Sequence, residues 1–176
     1  MFKPEWIRFN WDLKKLPTDA PKAARAGLEV RPGELSESQA IATVVERTYQ
    51  AEQGWGVARP KRLEELREII LKNMGEKEIK VMVLQDGRRI VGVSVLCLDA
   101  ETPRQLVSGV NILEEYQSRG WGTLLLWHSL KFLSEQGLER ASVVTRSNVN
   151  AFRYLYPKFH STRERLDELP LLEKYL

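Results

Sequence analysis

The 176-residue chain has a single cysteine, Cys97, so no intramolecular disulfide can form. That suits a reducing compartment. Cys97 sits in the apolar run 91–98 and reads as a small buried hydrophobe rather than a catalytic thiol. There are only two histidines, His128 and His160. They are far apart, with no cysteine or carboxylate cluster beside them, which argues against a metal site. No run approaches the roughly 20 apolar residues that span a bilayer. Residues 1–26 are interrupted by Pro4, Asp12, Pro17, Asp19 and Pro21, so they lack the continuous apolar core of a secretory signal. A soluble, cytoplasmic protein with no membrane partner is expected. Zinc-finger spacing and basic blocks are also missing, and the net charge of +3 is spread along the chain. Nucleic acid is therefore not an expected partner.

What is present suits one domain of ordinary size. With 43% hydrophobic and 29% charged residues, the chain can bury a core without staples. Residues 1–26 read as an N-terminal arm packed on the domain. In it Phe9 and Trp11 alternate around Asn10, and 17–21 forms a turn or linker. Residues 27–176 read as the domain itself. Gly27–Arg31 alternates as a strand. A helix follows from Ser36 to about Glu52, with Ile41, Val44, Val45 and Thr48 at helical spacing. Gly54-Trp55-Gly56 breaks it, and a second helix runs from Pro60 to Met74. Residues 79–85, 89–98 and 105–113 read as three antiparallel strands, the first two joined by the hairpin signal Asp86-Gly87. A helix over 123–136, a strand over 140–145 and a helix over 148–156 come next, and the tail holds a last strand or two. The order β-α-α-β-β-β-α-β-α-β predicts an α/β fold of the α+β kind. Its mixed central sheet is mostly antiparallel in the N-terminal half, with about four flanking helices. The strand–helix–strand unit near residue 120 should be parallel and right-handed.

The chemistry concentrates at Gln117-Ser118-Arg119-Gly120-Trp121-Gly122, where a strand ends and a long helix begins. The first amides of that helix have no internal partner and lie at the positive end of the helix dipole. An anion fits there, a diphosphate best of all. Gly120 and Gly122 allow close backbone approach and unusual φ values, and Arg119 adds a cation. The Walker pattern is absent, and the dinucleotide pattern fails at Leu125.

The string Gln117-x-x-Gly120-x-Gly122, led by Ile112-Leu113-Glu114-Glu115-Tyr116, resembles the GNAT superfamily of acetyl-CoA-dependent N-acetyltransferases. Glu114 stands where the family usually has proline. Asn148 and Ala151 match a second family motif, whose tyrosine would fall on Leu155, between Tyr154 and Tyr156. The resemblance implies acetyl-CoA as cofactor, held by Ile112, Leu113, Gln117, Ser118, Arg119, Gly120, Trp121, Gly122, Thr123 and Asn148. It implies a primary amine, on a small molecule or a peptide, as acceptor. Direct attack in a ternary complex would transfer the acetyl group. Tyr156 is the first choice to protonate the leaving sulfur, and Tyr154 the second. On a regular helix the two lie about 200° apart, so both cannot face the thioester. Trp55 is either a wall of the acceptor site or a loop anchor. No carboxylate on strand 105–113 offers a base. A non-catalytic acyl-CoA-binding module on the same fold is the alternative. No metal is expected, and a monomer or a homodimer would suit.

Overall fold

The structure, a computed structural model, describes residues 4–23 and 27–176. The remainder of the 1–26 segment lies outside the described residues. A seven-stranded sheet runs through the molecule. Its strands are β1 (Trp6–Asp12), β2 (Leu28–Pro32), β3 (Ile79–Asp86), β4 (Arg89–Cys97), β5 (Leu106–Ile112), β6 (Arg140–Arg146) and β7 (Thr162–Leu166). The spatial order is β2-β3-β4-β5-β6-β1-β7. All neighbours are antiparallel except β5 and β6. These two are linked by a helix crossover and run parallel, as the strand–helix–strand pattern requires. No helix among the described residues is long and apolar enough to cross a membrane.

The helices follow the apolar stripes. α1 (Ser38–Ala51) buries Ile41, Val44, Val45, Thr48 and Tyr49. α2 (Arg59–Glu68) carries Pro60 in its first turn and continues through one wide turn, Ile69–Asn73. α3 (Trp121–Glu135) buries Leu125, Leu126, Leu130 and Leu133. α4 is shorter than the pattern suggested. It spans Asn150–Tyr154 only, because Pro157 disfavours helix in the residue before it. Its last turn widens: the amides of Leu155 and Tyr156 both donate to the Ala151 carbonyl, at 3.1 and 2.9 Å.

The N-terminal residues do more than cover the domain. β1 is an inner strand, paired with β6 over seven residues and with β7 over five. Its alternate residues Ile7, Phe9 and Trp11 are buried. Further along, the Trp127 indole donates to the Pro17 carbonyl at 2.8 Å, which ties the following segment to α3.

Candidate active site

The site begins with an irregularity in β5. Pairing with β4 shifts register, so that Val107, Ser108 and Gly109 stand opposite the single residue Val95. Gly109 has φ 68°, a left-handed conformation that costs an L side chain about 1–2 kcal/mol. Such a bulge bends the strand and frees ladder groups, and each must find a partner. The Val95 amide donates to Ser108 Oγ at 2.9 Å. Arg62 donates to the Val107 carbonyl at 2.9 Å, and Tyr49 donates to the Ser108 carbonyl at 2.8 Å. The Asn111 amide group reaches the carbonyls of Val93, Ser108 and Gly109 at 3.1–3.3 Å. Behind the bulge, Glu65 binds the guanidinium groups of both Arg62 and Arg104, and all three side chains are buried. A buried cation pair without Glu65 would be untenable.

The bulge also parts the sheet. β5 and β6 pair only at Leu106 and Val143, and their C-terminal ends diverge. Between them opens a cleft of about 320 Å³. Thr48, Tyr49, Glu52 and Trp55 bound one side. Ser108, Val110, Asn111 and Ile112 form the floor. Gln117, Ser118 and Gly122 come from the turn before α3, and Thr145, Val149, Asn150, Ala151, Tyr154, Leu155 and Tyr156 close the rest.

The turn is a concave run of amides. Ser118 and Gly120 both have positive φ, 63° and 88°, and alternation of this kind turns successive N–H groups to one side. The amides of residues 118–123 find no acceptor among the described residues. The Gln117 side chain donates to the Ile112 carbonyl at 2.9 Å and pins the turn to the end of β5. A Cβ on Gly122 would lie 3.8–4.0 Å from Ile112 and Leu155, on the cleft side. Of the two reasons for glycine, close approach and an unusual φ, the backbone angle is the one that applies at 120. A Cβ there would face Lys22 and Ala23 at 3.4 Å, so the left-handed backbone, not clearance for a ligand, requires it.

The remaining expected cofactor residues divide. Ile112, Gln117 and Ser118 line the cleft with Gly122. Leu113 and Trp121 are buried in the core, so only their backbones could meet a ligand. Arg119 is exposed and Thr123 half-buried, and neither is among the lining residues. Asn148 is also exposed and outside the lining. Its carbonyl instead faces Gly54, and Asn150, two positions on, lines the cleft.

The two tyrosines are distinguished by the widened turn after α4. Tyr154 is 67% exposed at the rim, whereas Tyr156 is 4% exposed. The Tyr156 hydroxyl accepts from the Val110 amide at 3.1 Å, in the gap beside bare Gly109. Its ring packs against Phe9 and Trp11 of β1, with centroids 5.8 and 6.2 Å away. Burial pushes the phenol above its ordinary value, reinforced by Tyr49 and opposed by the Val110 amide. Tyr156 therefore keeps its proton. Trp55 lines the cleft and stacks on Tyr49 at 4.6 Å.

Glu115, His128 and Cys97 are not among the residues that line the cleft. Glu115 pairs with Arg89 on the surface at 2.9 Å. His128 packs its ring on Trp127. Cys97 is buried. The sequence reading missed Glu52, Thr48, Tyr49, Ser108, Asn111, Thr145 and Asn150. For the bulge there was one signal, the isolated glycine at 109 inside a strand pattern.

The profile of the acetyltransferase (GNAT) family matches residues 43–160, more than half of the chain. No curated protein matches it. Among solved structures, a Drosophila protein aligns over 93% of this chain and 49% of its own, at TM-score 0.62 and 11% identity. A conserved protein of unknown function from Staphylococcus epidermidis aligns over 93% and 59%, at TM-score 0.59 and 13% identity. The chain thus spans about half to three fifths of the length of these two. A GCN5-related N-acetyltransferase from Ralstonia eutropha aligns over 64% of this chain and 80% of its own, at TM-score 0.51 and 16% identity. Together with the splayed sheet and the amide-lined turn, the profile match places this chain in the GNAT family of acetyltransferases.

Proposed function

We propose that the protein transfers an acetyl group from acetyl-coenzyme A to a primary amine. The observation that carries this reading is the junction of β5 and α3. There, a turn whose amides have no backbone acceptor among the described residues contributes Ser118 and Gly122 to the lining of the cleft that holds the Tyr156 hydroxyl. The fit to an extended anionic thioester has three supports. The turn offers amide donors at a helix N-terminus. Gly122 leaves its cleft face bare. Thr145 Oγ1, on the cleft wall, is buried with no partner among the described residues.

Acetyl-coenzyme A would supply the activated acetyl group and a thiolate leaving group. The chain's own residues would do the rest. Residues 118–123 would hold the diphosphate through backbone amides. The walls of the cleft would bring acceptor and thioester together, a large advantage for a two-substrate reaction. Tyr156 would hold a proton at its hydroxyl, oriented by the Val110 amide. With its raised pKa it would serve best as a hydrogen-bond donor to developing charge, with water completing the proton transfer. The test has two parts: calorimetric titration with coenzyme A, then release of free thiol from acetyl-coenzyme A with a panel of amines. Failure to bind coenzyme A would overturn the reading. Binding without thiol release for any amine would favour the non-catalytic module.

A further inference from the structure

The cleft's charge is uneven, and this narrows the acceptor. Of the residues that line it, Glu52 alone carries a charge; no lysine, arginine or histidine is among them. Glu52 caps the C-terminus of α1, where the helix dipole favours a cation. The residue is half-buried, and the bonds it makes among the described residues are with the Gly54 amide and, through its backbone carbonyl, with Arg59. One oxygen, Oε1, accepts from the Gly54 amide at 3.2 Å, which fixes it beside the cleft and leaves its other acceptor positions open. The aromatic rings of Tyr49, Trp55 and Tyr154 share the lining, and ring faces also attract cations. Three cations sit near these residues, and none of them is among those that line the cleft. Arg59 donates to the Glu52 backbone carbonyl at 3.1 Å. Arg62 lies behind the Tyr49–Trp55 pair and is bound by Glu65. Arg153 rests over the exposed ring of Tyr154 at 6.0 Å.

We infer that Glu52 is the acceptor-binding carboxylate of this cleft, and that the acceptor is an amine without a carboxylate next to its nitrogen. This rests on the acetyl-transfer reading. The amine would arrive as its ammonium and donate hydrogen bonds to Glu52. One N–H bond would break as the carboxylate takes the proton, leaving the nitrogen lone pair free for attack. The carboxylic acid would return that proton to water at the cleft mouth. An α-amino acid would be disfavoured, because its own carboxylate would meet Glu52 with no cation in the lining to offset the repulsion.

Two matched pairs test this on the coenzyme A-loaded protein by calorimetry: tryptamine against tryptophan, and pentylamine against norleucine. Each amine should bind at least about tenfold more tightly than its amino acid, the scale of one charged hydrogen bond. Glu52→Gln keeps an oxygen for the Gly54 amide but removes the charge, and should erase the preference while coenzyme A affinity holds. Glu52→Asp, which keeps the charge, should retain it and serves should the glutamine variant not fold. Equal or tighter binding of the amino acids, or a preference that survives Glu52→Gln, would overturn the assignment. Should coenzyme A itself fail to bind, the acetyl-transfer reading falls, and the same titrations on the free protein decide the role of Glu52 alone.

Discussion

Replacing Gly109 by alanine should do two separable things. At φ 68° an alanine is strained, at about 1–2 kcal/mol. Its Cβ would also overlap the Tyr156 hydroxyl, whereas the next atoms, Tyr156 Cζ and Val143 Cγ2, stand at ordinary distances of 3.5 and 3.7 Å. The hydroxyl must therefore leave the Val110 amide, which costs about 1 kcal/mol for the lost hydrogen bond. The expected total is about 2–3 kcal/mol. Tyr156→Phe alone loses only the hydrogen bond, about 1 kcal/mol, because Phe9 and Trp11 still hold the ring. Once that oxygen is gone, alanine at 109 has nothing to displace. The double variant should then be no worse than Gly109→Ala, which gives a coupling of about 1 kcal/mol. Urea titration of the four proteins, with the slope unchanged, measures it. Additive effects, within about 0.3–0.5 kcal/mol, would refute the claim that the bare glycine exists to admit the tyrosine hydroxyl.

With Tyr156 as the hydrogen-bond donor to developing charge, Tyr156→Phe should lower turnover roughly 10²- to 10³-fold with little change in coenzyme A affinity, and Tyr154→Phe should be nearly silent; steady-state kinetics would show the reverse pattern if the rim tyrosine does the work. Gly122→Val places a branched side chain on the cleft side of the turn, so calorimetry should find coenzyme A binding lost while circular dichroism reports an intact fold; unchanged affinity would remove the turn from the site. Glu37 is held at a pKa of about 2 by its hydrogen bond to Arg31, helped by the Glu34 amide. A depressed carboxylate stabilises the fold above its unfolded value near 4.5 and loses that contribution as pH falls toward 2. Glu37→Gln should therefore cost about 1 kcal/mol near neutrality and progressively less as pH falls through 2, which denaturation curves across that window would reveal.

The element order was legible because each element carries its own period. Leu125, Leu126, Leu130 and Leu133 mark one helix face whatever packs on it, and Asp86-Gly87 signals a hairpin locally. The turn at 117–122 was legible for the same reason, since glycine positions and a strand-to-helix junction are local properties. Within the turn, however, the sequence could not separate the two glycines. Only the backbone angles and the neighbouring arm distinguish left-handed Gly120 from bare-faced Gly122.

The tertiary structure decided what depends on distant residues meeting. Helical phase alone left Tyr154 and Tyr156 as rivals. Their different placements, Tyr154 exposed and Tyr156 buried beside Val110, come from a widened turn, a bulge in β5 and two aromatic residues of β1, well over 100 positions away in sequence. The place of β1 between β6 and β7 was equally unreadable, because alternation reports that a strand has a buried face but not which strand it joins. Glu52 looked like one more polar residue at a helix end. Its place as the one charged side chain among the described residues of the cleft lining depends on everything around it, and sequence spacing carries no record of that.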